Sequence, residues 1–493
     1  MSRYRSADDR ERAPGPARTL FRDLDFVVTV DASDTVVRDG AILVDGARIA
    51  RVGPTPDVAT PEVLMSVDRV IDGRGLGATP GFVDAHVHLS ETLSRAAFAD
   101  TIATRPWVFH WVMPYYGRLS PDDERVAVTV AAWEMLRSGT TCFLDMGALN
   151  DPAITVQALG DIGIRGVTGR HAADVRPETM PAGWTTEMVE RHFFRDTDTA
   201  LEALRDTVVR WDGHADGRIR CWVNLQGKEL CSPRLFVEAR ALAEELGVGS
   251  TYHLASTIEE ARGSERAHGL WPVTRMASLG ALGPNVVLAH AVATREDEVA
   301  LLAEHETKVA FCPGTSLKLA KGATAIGRYP EMLDAGVVVA LGTDGVSAAG
   351  NLSLMRQLYL VAGLFKDARM DAGLVGARRA FRMATIDAAR ALGLDREIGS
   401  LEPGKQADLV LFDTLHPEWV PFRDPIQALV WSASPASIRE TWVAGRRLYG
   451  DGTVETVPDV AALVAEARER AGSIIRAASL DRDDVPTATT LYD

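Results

Sequence analysis

Two histidines stand one residue apart in the mostly apolar stretch GFVDAHVHL at residues 81–89. Side chains two residues apart in a β-strand project to the same face, so His86 and His88 would share a face with Asp84. Imidazole nitrogens suit Zn²⁺ and related transition metals. The pair predicts a metal site if other parts of the chain supply the remaining ligands. Otherwise, two chance histidines on a solvated strand would explain the pattern.

Further candidate ligands stand at or near the ends of other strand-like runs. His253 lies in STYHLAS, His290 ends NVVLAH, and Asp344 ends VVVALGTD. Histidines and a carboxylate that converge from several strand ends predict a transition-metal centre. His171 ends another run and is a candidate substrate contact. The other histidines lie in helices or loops and are interpreted as structural, namely His110, His192, His214, His268, His305 and His416.

The strands that would position these residues alternate with helical segments. Eight strand-like runs cover residues 82–88, 140–146, 164–169, 219–225, 250–256, 285–290, 308–312 and 337–344. Helices are predicted between most of them, one beginning at Ser120 and Pro121 and another at Ser232 and Pro233. This alternation predicts parallel crossovers and a closed (β/α)₈ TIM-type barrel, with an open doubly wound sheet as the alternative. The carboxyl ends of the barrel strands would carry the active site.

The regions on either side of the barrel have a different pattern. Short strands within residues 23–80, including a hairpin with an Asp45-Gly46 turn, and others within residues 400–455 predict one small β-sandwich domain built from both termini. The barrel would span residues 81–399. Residues 1–22 are predicted to form a flexible arm, and residues 456–493 a C-terminal amphipathic helix and tail.

The composition excludes several classes of protein. The chain has 493 residues, 46% hydrophobic and 25% charged, as is typical of a large globular protein. Its net charge of −15 disfavours nucleic acid and membrane surfaces as partners, and neither a membrane-spanning run nor an apolar signal core is present in the sequence. The four cysteines have no CxxC spacing and are expected to be free thiols. We expect a cytoplasmic homo-oligomer that acts on a small molecule.

The motifs GFVDAHVHL, HLAS, VVLAH, GTDG and MATIDAARALGLDREIGSLEPGKQADLVLFD resemble those of the amidohydrolase superfamily. The resemblance extends over about residues 24–450 and is greatest to the branch of aminohydrolases and triazine chlorohydrolases. It implies a metal-bearing barrel with a β-sandwich from both termini. It also implies that His86, His88, His253 and Asp344 hold the metal and that His290 contacts the water or the substrate. The implied metal is zinc, or else iron, cobalt or manganese, with one ion favoured over two.

Two strand ends depart from the pattern of that branch. Its deaminases and chlorohydrolases usually have a glutamate three residues after the strand-five histidine, where this chain has Ser256. The nearby Glu259 and Glu260 are expected to begin a solvated helix. On strand four, Gln226 stands in place of a histidine, and Lys228 follows. Lys228 is interpreted as a substrate-facing or surface lysine, or, in a two-metal site, as a carboxylated bridging ligand.

These departures favour members of the branch that hydrolyse phenylureas and thiocarbamates. The aromatic segment RPWVFHWVMPYY either walls a pocket for a flat or apolar substrate or packs as a buried loop or subunit contact. The candidate substrate-binding residues are Gln226, Lys228, Ser256, Trp111 and His171.

We therefore expect a metal-dependent amidohydrolase that cleaves a non-peptide C–N bond of amide, urea or carbamate type through a metal-activated hydroxide. Asp344 would act as the base, and His290 would polarise the substrate. The alternative is a deaminase or dehalogenase of an aromatic heterocycle such as an aminopurine, a pterin or a triazine. An inactive ligand-binding relative is a minor alternative.

Overall fold

The computed structural model describes residues 17–178, 180–181 and 184–481. Most of the predicted N-terminal arm and the predicted tail after residue 481 lie outside the described residues. Within the described ranges, no helix is long and apolar enough to cross a membrane.

The strands form two sheets that correspond to the two predicted domains. The N-terminal strands are β1 (Arg18–Val28), β2 (Val36–Asp45), β3 (Arg48–Pro54), β4 (Arg69–Asp72) and β5 (Leu76–Pro80). The barrel strands are β6 (Phe82–Val87), β7 (Thr140–Asp145), β8 (Gly166–Ala172), β9 (Ile219–Gly227), β10 (Ser250–Leu254), β11 (Val286–His290), β12 (Lys308–Phe311) and β13 (Val339–Leu341). The C-terminal strands are β14 (Leu409–Asp413), β15 (Ile438–Val443), β16 (Arg446–Gly450) and β17 (Thr453–Val454).

Strands β6 to β13 form the predicted barrel as an eight-stranded parallel sheet in chain order. Two contacts join its first and last strands. The Asp344 N–H donates to the His86 carbonyl at 2.8 Å, and the Asp84 carboxylate accepts hydrogen bonds from Thr343 N, at 3.0 Å, and from the Thr343 hydroxyl. Asp84 also accepts a hydrogen bond from His86 N at 3.2 Å. Asp84 therefore holds the barrel together directly behind the histidine pair.

The small domain is built from both ends of the chain, as predicted. Its nine strands form a single mixed sheet in the order β17-β16-β15-β14-β5-β1-β2-β3, with β4 paired to β1. The predicted arm of residues 1–22 is too long, because β1 begins at Arg18 and its first residues pair with β2 and β4. The β2–β3 hairpin turns at the predicted place, where Gly46 has a positive φ of 61° that costs glycine little.

Helices connect the barrel strands, and the two predicted N-caps are confirmed: Ser120 accepts a hydrogen bond from Asp123 N, and Ser232 accepts one from Leu235 N. Short 3₁₀ turns cover Leu89–Ser94, Lys228–Leu230, Pro417–Trp419 and Pro435–Ser437, and a π-helical turn covers Trp107–Val112. The predicted C-terminal helix is α21 (Val460–Ala477). The helices before it are α1 (Thr55–Val58), α2 (Pro61–Ser66), α3 (Thr104–Pro106), α4 (Met113–Tyr116), α5 (Pro121–Arg137), α6 (Pro152–Ile162), α7 (Thr186–His192), α8 (Thr197–Trp211), α9 (Pro233–Leu246), α10 (Ile258–His268), α11 (Pro272–Leu279), α12 (Glu296–Glu304), α13 (Pro313–Lys318), α14 (Ala323–Ile326), α15 (Tyr329–Asp334), α16 (Val346–Ala349), α17 (Leu354–Arg369), α18 (Ala377–Met383), α19 (Ile386–Ala391) and α20 (Pro425–Trp431).

A buried ion pair joins the barrel to the sheet domain. Arg165, which precedes β8, holds Asp408, which precedes β14, with Nε and Oδ2 2.7 Å apart. Asp408 also accepts a hydrogen bond from Ala444 N at 2.7 Å. Removing one partner of such a pair would leave an uncompensated buried charge. The amino-terminal end of the barrel is therefore fixed to the sheet, while the carboxyl ends of its strands remain available for a site.

Candidate active site

The carboxyl ends of β6, β10, β11 and β13 bring together the five side chains predicted to bind metal or catalyse. Asp344 Oδ1 lies 3.5 Å from His86 Nε2 and 3.4 Å from His88 Nε2. The Nε2 atoms of His88 and His253 are 3.2 Å apart, and His290 Nε2 lies 3.7 Å from Asp344 Oδ2. All five side chains are buried. They form one cluster, which we call the metal cluster.

The spacing and chemistry of the metal cluster fit a divalent ion. Ligands at about 2.0–2.1 Å from a tetrahedral ion lie about 3.4 Å from one another. The donor atoms here have a similar spacing: His88 to His253 is 3.2 Å, His88 to Asp344 is 3.4 Å and His86 to Asp344 is 3.5 Å. Both ring nitrogens of His86 are buried without a hydrogen-bond partner among the described residues. Burial of unsatisfied polar atoms is unfavourable. A bound ion would satisfy one of these nitrogens.

The backbone at two of these strand ends is strained. His290 and Asp344 have positive φ values of 80° and 65°, which residues other than glycine adopt only where the surroundings enforce it. In the GTDG motif, Gly345 follows Asp344 because a side chain has no room there. A Cβ atom at this position would lie 1.9 Å from Glu91 Oε2. The motif therefore supplies both a carboxylate and a close approach to a second carboxylate.

His253 is oriented by a backbone group. Its Nδ1 lies 2.7 Å from the Gln226 carbonyl oxygen, which only accepts hydrogen bonds, so Nδ1 carries the proton and Nε2 keeps its lone pair. Gln226 is the extra residue of a β-bulge in β9, because Tyr252 pairs with Leu225 and His253 with Gly227. This bulge breaks the alternation of side chains, so the register at the end of β9 does not follow from the sequence pattern.

His88 is oriented by side chains instead. Its Nδ1 lies 3.3 Å from Tyr116 Oη and 3.5 Å from Glu91 Oε1. Tyr116 donates a short hydrogen bond to Glu91, and Ser347 Oγ donates another at 2.8 Å. None of these partners was predicted to belong to the site. The one available signal was the position of Glu91 three residues after His88, which a single helical turn brings together.

The metal cluster favours a neutral histidine beside an ionised carboxylate. Burial and the nearby His86 lower the pKa of His88 well below its usual value. Burial would raise the pKa of Asp344, but the close approach of the His86 ring and the charge on His290 hold it well below its usual value. Metal ions bind these same protonation states, neutral imidazole and carboxylate.

Lys321, which was not predicted to belong to the site, contacts the metal cluster. Its Nζ lies 3.1 Å from His290 Nε2, and the lysine is only 5% exposed. It follows α13 in a segment where no periodic pattern marks it. Cys312 Sγ also lies within 4.8 Å of ligand atoms of His86 and Asp344. Burial raises the pKa of this thiol well above its usual value, which disfavours the thiolate that metals bind.

A cavity of about 530 Å³ lies beside the ends of β9 and β10, and Gln226 and Leu254, neighbours of His253 in the fold, are among the residues that line it. Apolar side chains such as Val108, Phe109 and Phe236 line other parts. The amide oxygen of Gln226 contacts Nε2 of His171, near the end of β8. Burial lowers the pKa of His171 to about 4, so this imidazole is neutral near pH 7. Two of the predicted substrate-binding residues, Gln226 and His171, are therefore in contact with each other.

Ser256 is buried, and its Oγ has no hydrogen-bond partner within the described part of the chain. Its N–H and that of Ala255 donate to the Glu260 carboxylate at 2.8 and 2.7 Å, and Glu260 lines the cavity. Glu259 is exposed at the start of α10, as expected. For Glu260 the expectation of a solvated side chain is wrong, because its carboxylate folds back onto the end of β10.

The aromatic segment after β6 borders the cavity through Val108 and Phe109. Trp111 is not among the described residues that line the cavity; it is buried and packs against Phe98, with ring centroids 5.5 Å apart. The segment thus forms part of the cavity wall, whereas its predicted substrate contact, Trp111, packs in the interior instead. The side chain of Lys228 lies outside the described residues, so both of its alternative roles stay predictions.

The sequence matches the pattern of the Amidohydrolase family over residues 78–448, and the chain belongs to this family. It is a hydrolase that acts on carbon–nitrogen bonds other than peptide bonds. Members of the family bind a divalent metal ion, and the donor set of the metal cluster agrees with this property.

Individual proteins of the family are similar to nearly the whole of this chain. The chain is 35% identical over 452 residues to a 5-methylthioadenosine/S-adenosylhomocysteine deaminase of Symbiobacterium thermophilum, covering 91% of this chain and 98% of the relative. It is 33% identical to a 5′-deoxyadenosine deaminase of Methanothermobacter thermautotrophicus, covering 86% and 92%. The structure of an adenosine deaminase from Xanthomonas campestris with bound zinc matches with a TM-score of 0.80 at 27% identity, covering 94% and 100%. An atrazine chlorohydrolase from Arthrobacter aurescens shares the fold, with a TM-score of 0.81 at 24% identity, covering 92% and 100%.

Proposed function

We propose that this protein is a metal-dependent deaminase of an amino-substituted aromatic heterocycle of the purine type. The observation that carries the proposal is the similarity of nearly the whole chain to deaminases of adenosine derivatives. The buried metal cluster with His290 beside it supplies the donors and proton carriers that a hydrolytic deaminase needs. This support favours the heterocycle deaminase over the cleavage of an amide, urea or carbamate that was the first expectation.

One zinc ion is the metal that we propose for the cluster. The bound zinc in the related adenosine deaminase structure supports this choice, as do imidazole and carboxylate donors at tetrahedral spacing. A divalent ion of this kind supplies Lewis acidity and lowers the pKa of a bound water toward neutrality.

Asp344 is the proposed base, and its two oxygens have different surroundings. Oδ1 lies near His86 and His88 and accepts a hydrogen bond from Gly345 N at 2.8 Å. Oδ2 faces His290. Oδ2 is therefore the oxygen placed to take a proton from the attacking water.

The leaving nitrogen must receive a proton before it departs as ammonia. The Ser256 hydroxyl is not an acid near neutral pH, so Asp344 Oδ2 would return the proton that it has taken. His290, with Lys321 beside it, would stabilise the negative charge that develops on the ring during attack. Gln226 and His171 would contact the heterocycle from the cavity side.

The test is a panel of substrates assayed with zinc-loaded protein. Adenosine, 5′-deoxyadenosine, 5-methylthioadenosine, S-adenosylhomocysteine and guanine represent aminopurines, while a chlorotriazine and a phenylurea represent the competing chemistries. We expect ammonia release from at least one aminopurine, with none from a matched His86→Ala variant. Release of an aniline from the phenylurea, or of chloride from the triazine, without ammonia from any purine would contradict the proposal.

Hydrolysis of a urea or carbamate is the second candidate. The specific observation in its favour is Ser256 at the position where deaminases of this branch usually have glutamate. The net charge of −15 supports a small-molecule substrate in either case, rather than nucleic acid or a membrane surface. We also propose that the protein acts as a cytoplasmic homo-oligomer; its mass in solution would test the oligomeric state.

A further inference from the structure

We infer that Tyr116, Glu91 and Ser347 form a directional hydrogen-bond relay that positions His88 to bind the metal through Nε2. The three are positioning residues, because they act on the metal through His88. The inference rests on the metal site of the proposed function and not on the identity of its substrate. It also assigns a role to an aromatic residue that lies outside the predicted site.

The direction of the relay follows from the donors and acceptors. Two hydroxyl groups, those of Tyr116 and Ser347, donate to the carboxyl oxygens of Glu91. Tyr116 has a single hydroxyl proton and gives it to Glu91. Its oxygen, 3.3 Å from His88 Nδ1, is therefore an acceptor for that nitrogen. With the proton on Nδ1, the lone pair on Nε2 faces the metal cluster.

The relay is built into the interior. The three side chains of Glu91, Tyr116 and Ser347 are 1%, 4% and 1% exposed, and they come from three separate segments, namely the turn after β6, α4 and α16. The missing side chain of Gly345 leaves the space that Glu91 fills.

A comparison of the two ligands shows why His88 needs the relay. His253 lies within β10, and a strand carbonyl fixes its Nδ1. His88 follows the last residue of β6, and side chains meet its Nδ1 instead. Tyr116 ends the aromatic segment whose Val108 and Phe109 border the cavity.

The test measures zinc affinity of full-length variants by competition with a chromogenic chelator, together with the thermal midpoint of the metal-free protein. Tyr116→Phe and Glu91→Gln are each expected to weaken zinc binding about 10–100-fold, the usual effect of removing a partner of a metal-binding histidine. Tyr115→Phe is the matched control, because the hydroxyl of Tyr115 donates to the Ser90 carbonyl at 3.0 Å, away from the ligands. It should keep wild-type affinity.

Wild-type zinc affinity in both Tyr116→Phe and Glu91→Gln would overturn the relay, and so would an equal loss in Tyr115→Phe. If Glu91→Gln does not fold, Tyr116→Phe with an unchanged midpoint in the metal-free form decides the question alone. Tyr116→Phe keeps the ring and removes only the oxygen, so a purely structural role would leave zinc affinity unchanged. A wild-type protein that binds no zinc would contradict the metal site itself, a failure distinct from that of the relay.

Discussion

The two sides of the barrel mouth differ in how tightly their polar side chains are packed and oriented. On the side of β6, β11 and β13, which we call the metal side, His88, His290 and Asp344 are buried close to one another, and their neighbours orient them. On the side of β8, β9 and β10, the cavity side, a cavity of about 530 Å³ opens next to Gln226, and the hydroxyl of Ser256 is buried without a partner in the described ranges. The first side is complete without a substrate, whereas the second has room for one.

This difference implies that one side binds the metal and supports turnover, while the other binds the substrate. Substitutions on the metal side should change metal content or kcat, because those groups are positioned before any substrate arrives. Apart from the proposed ligand His253, which lies on β10, substitutions on the cavity side should change KM and substrate choice while metal content stays constant. The departures from the family pattern, Ser256 and Gln226, lie on the cavity side. Chemistry that is general to the family and specificity that is particular to this chain would thus be separated in space.

The largest expected effect on activity comes from removing a proposed metal ligand. His86→Ala removes a ligand from the centre of the cluster, so the variant should lose bound zinc and retain less than about 0.1% of turnover, since water activation depends on the metal. Metal analysis and the ammonia assay measure the two losses. His305→Ala, which removes a histidine at the end of α12 and outside the metal cluster, is the control and should keep both. Full activity of chelator-treated, metal-free wild-type protein would refute the role of the metal.

A second substitution tests whether the metal side contains more than ligands. Lys321→Met removes the ammonium beside His290, and loss of one group that stabilises developing charge typically slows turnover about 100-fold or more. Zinc content should stay at the wild-type value, because Lys321 is not among the proposed ligands. Lys321→Arg keeps the charge and should recover part of the rate. Turnover by Lys321→Met within about twofold of the wild-type rate would remove this residue from the mechanism.

The barrel and the gathering of these five side chains at its mouth could be predicted because both depend on patterns that repeat along the chain. Eight apolar runs separated by capped helices define the strands, and residues at strand ends converge whatever the detailed packing. His86, His88, His253, His290 and Asp344 all occupy such ends. Their chemistry is also restrictive, since few other arrangements gather imidazoles and a carboxylate.

The residues that escaped prediction reach the site through irregular structure. Lys321 lies between two short helices and Tyr116 ends another, so neither has a strand-end position to mark it. Gln226 was predicted as a substrate contact, but the bulge that sets its position was not. The Glu260 carboxylate turns back onto the end of β10 from the first turn of a helix. Such features depend on tertiary contacts rather than on periodicity. Trp111 was chosen for its aromatic ring alone, and Val108 and Phe109 from the same segment line the cavity instead.

A third prediction concerns the boundary between the two sides. His192 packs against Tyr116 of the metal side, with ring centroids 5.7 Å apart, and burial together with the nearby His171 of the cavity side lowers its pKa to about 3. In the unfolded protein this histidine binds a proton below about pH 6.5. In the folded protein it does not bind that proton until the pH falls to about 3. Stability is therefore lost as the pH falls from 6.5 toward 3.

When the pH falls from 7 to 5, this histidine should lower the free energy of unfolding of the wild-type protein by about 2 kcal/mol. His192→Gln has no such proton to bind and should show a correspondingly smaller decrease, measured by urea unfolding at both pH values. An unchanged pH dependence in His192→Gln would show that this imidazole accepts a proton in the folded state.

The smallest expected effect tests the cavity side. Ser256→Ala removes a hydroxyl that is buried without a protein partner in the described structure, so the free energy of unfolding should stay the same or rise by about 1 kcal/mol. If the hydroxyl instead binds the substrate through a neutral hydrogen bond worth about 1 kcal/mol, KM should rise about fivefold with kcat and zinc content unchanged. Urea unfolding and steady-state kinetics separate the two effects. Turnover that falls by about 100-fold or more would mean that Ser256 takes part in proton transfer. The division between a catalytic metal side and a binding cavity side would then fail at the residue where this chain departs from its relatives.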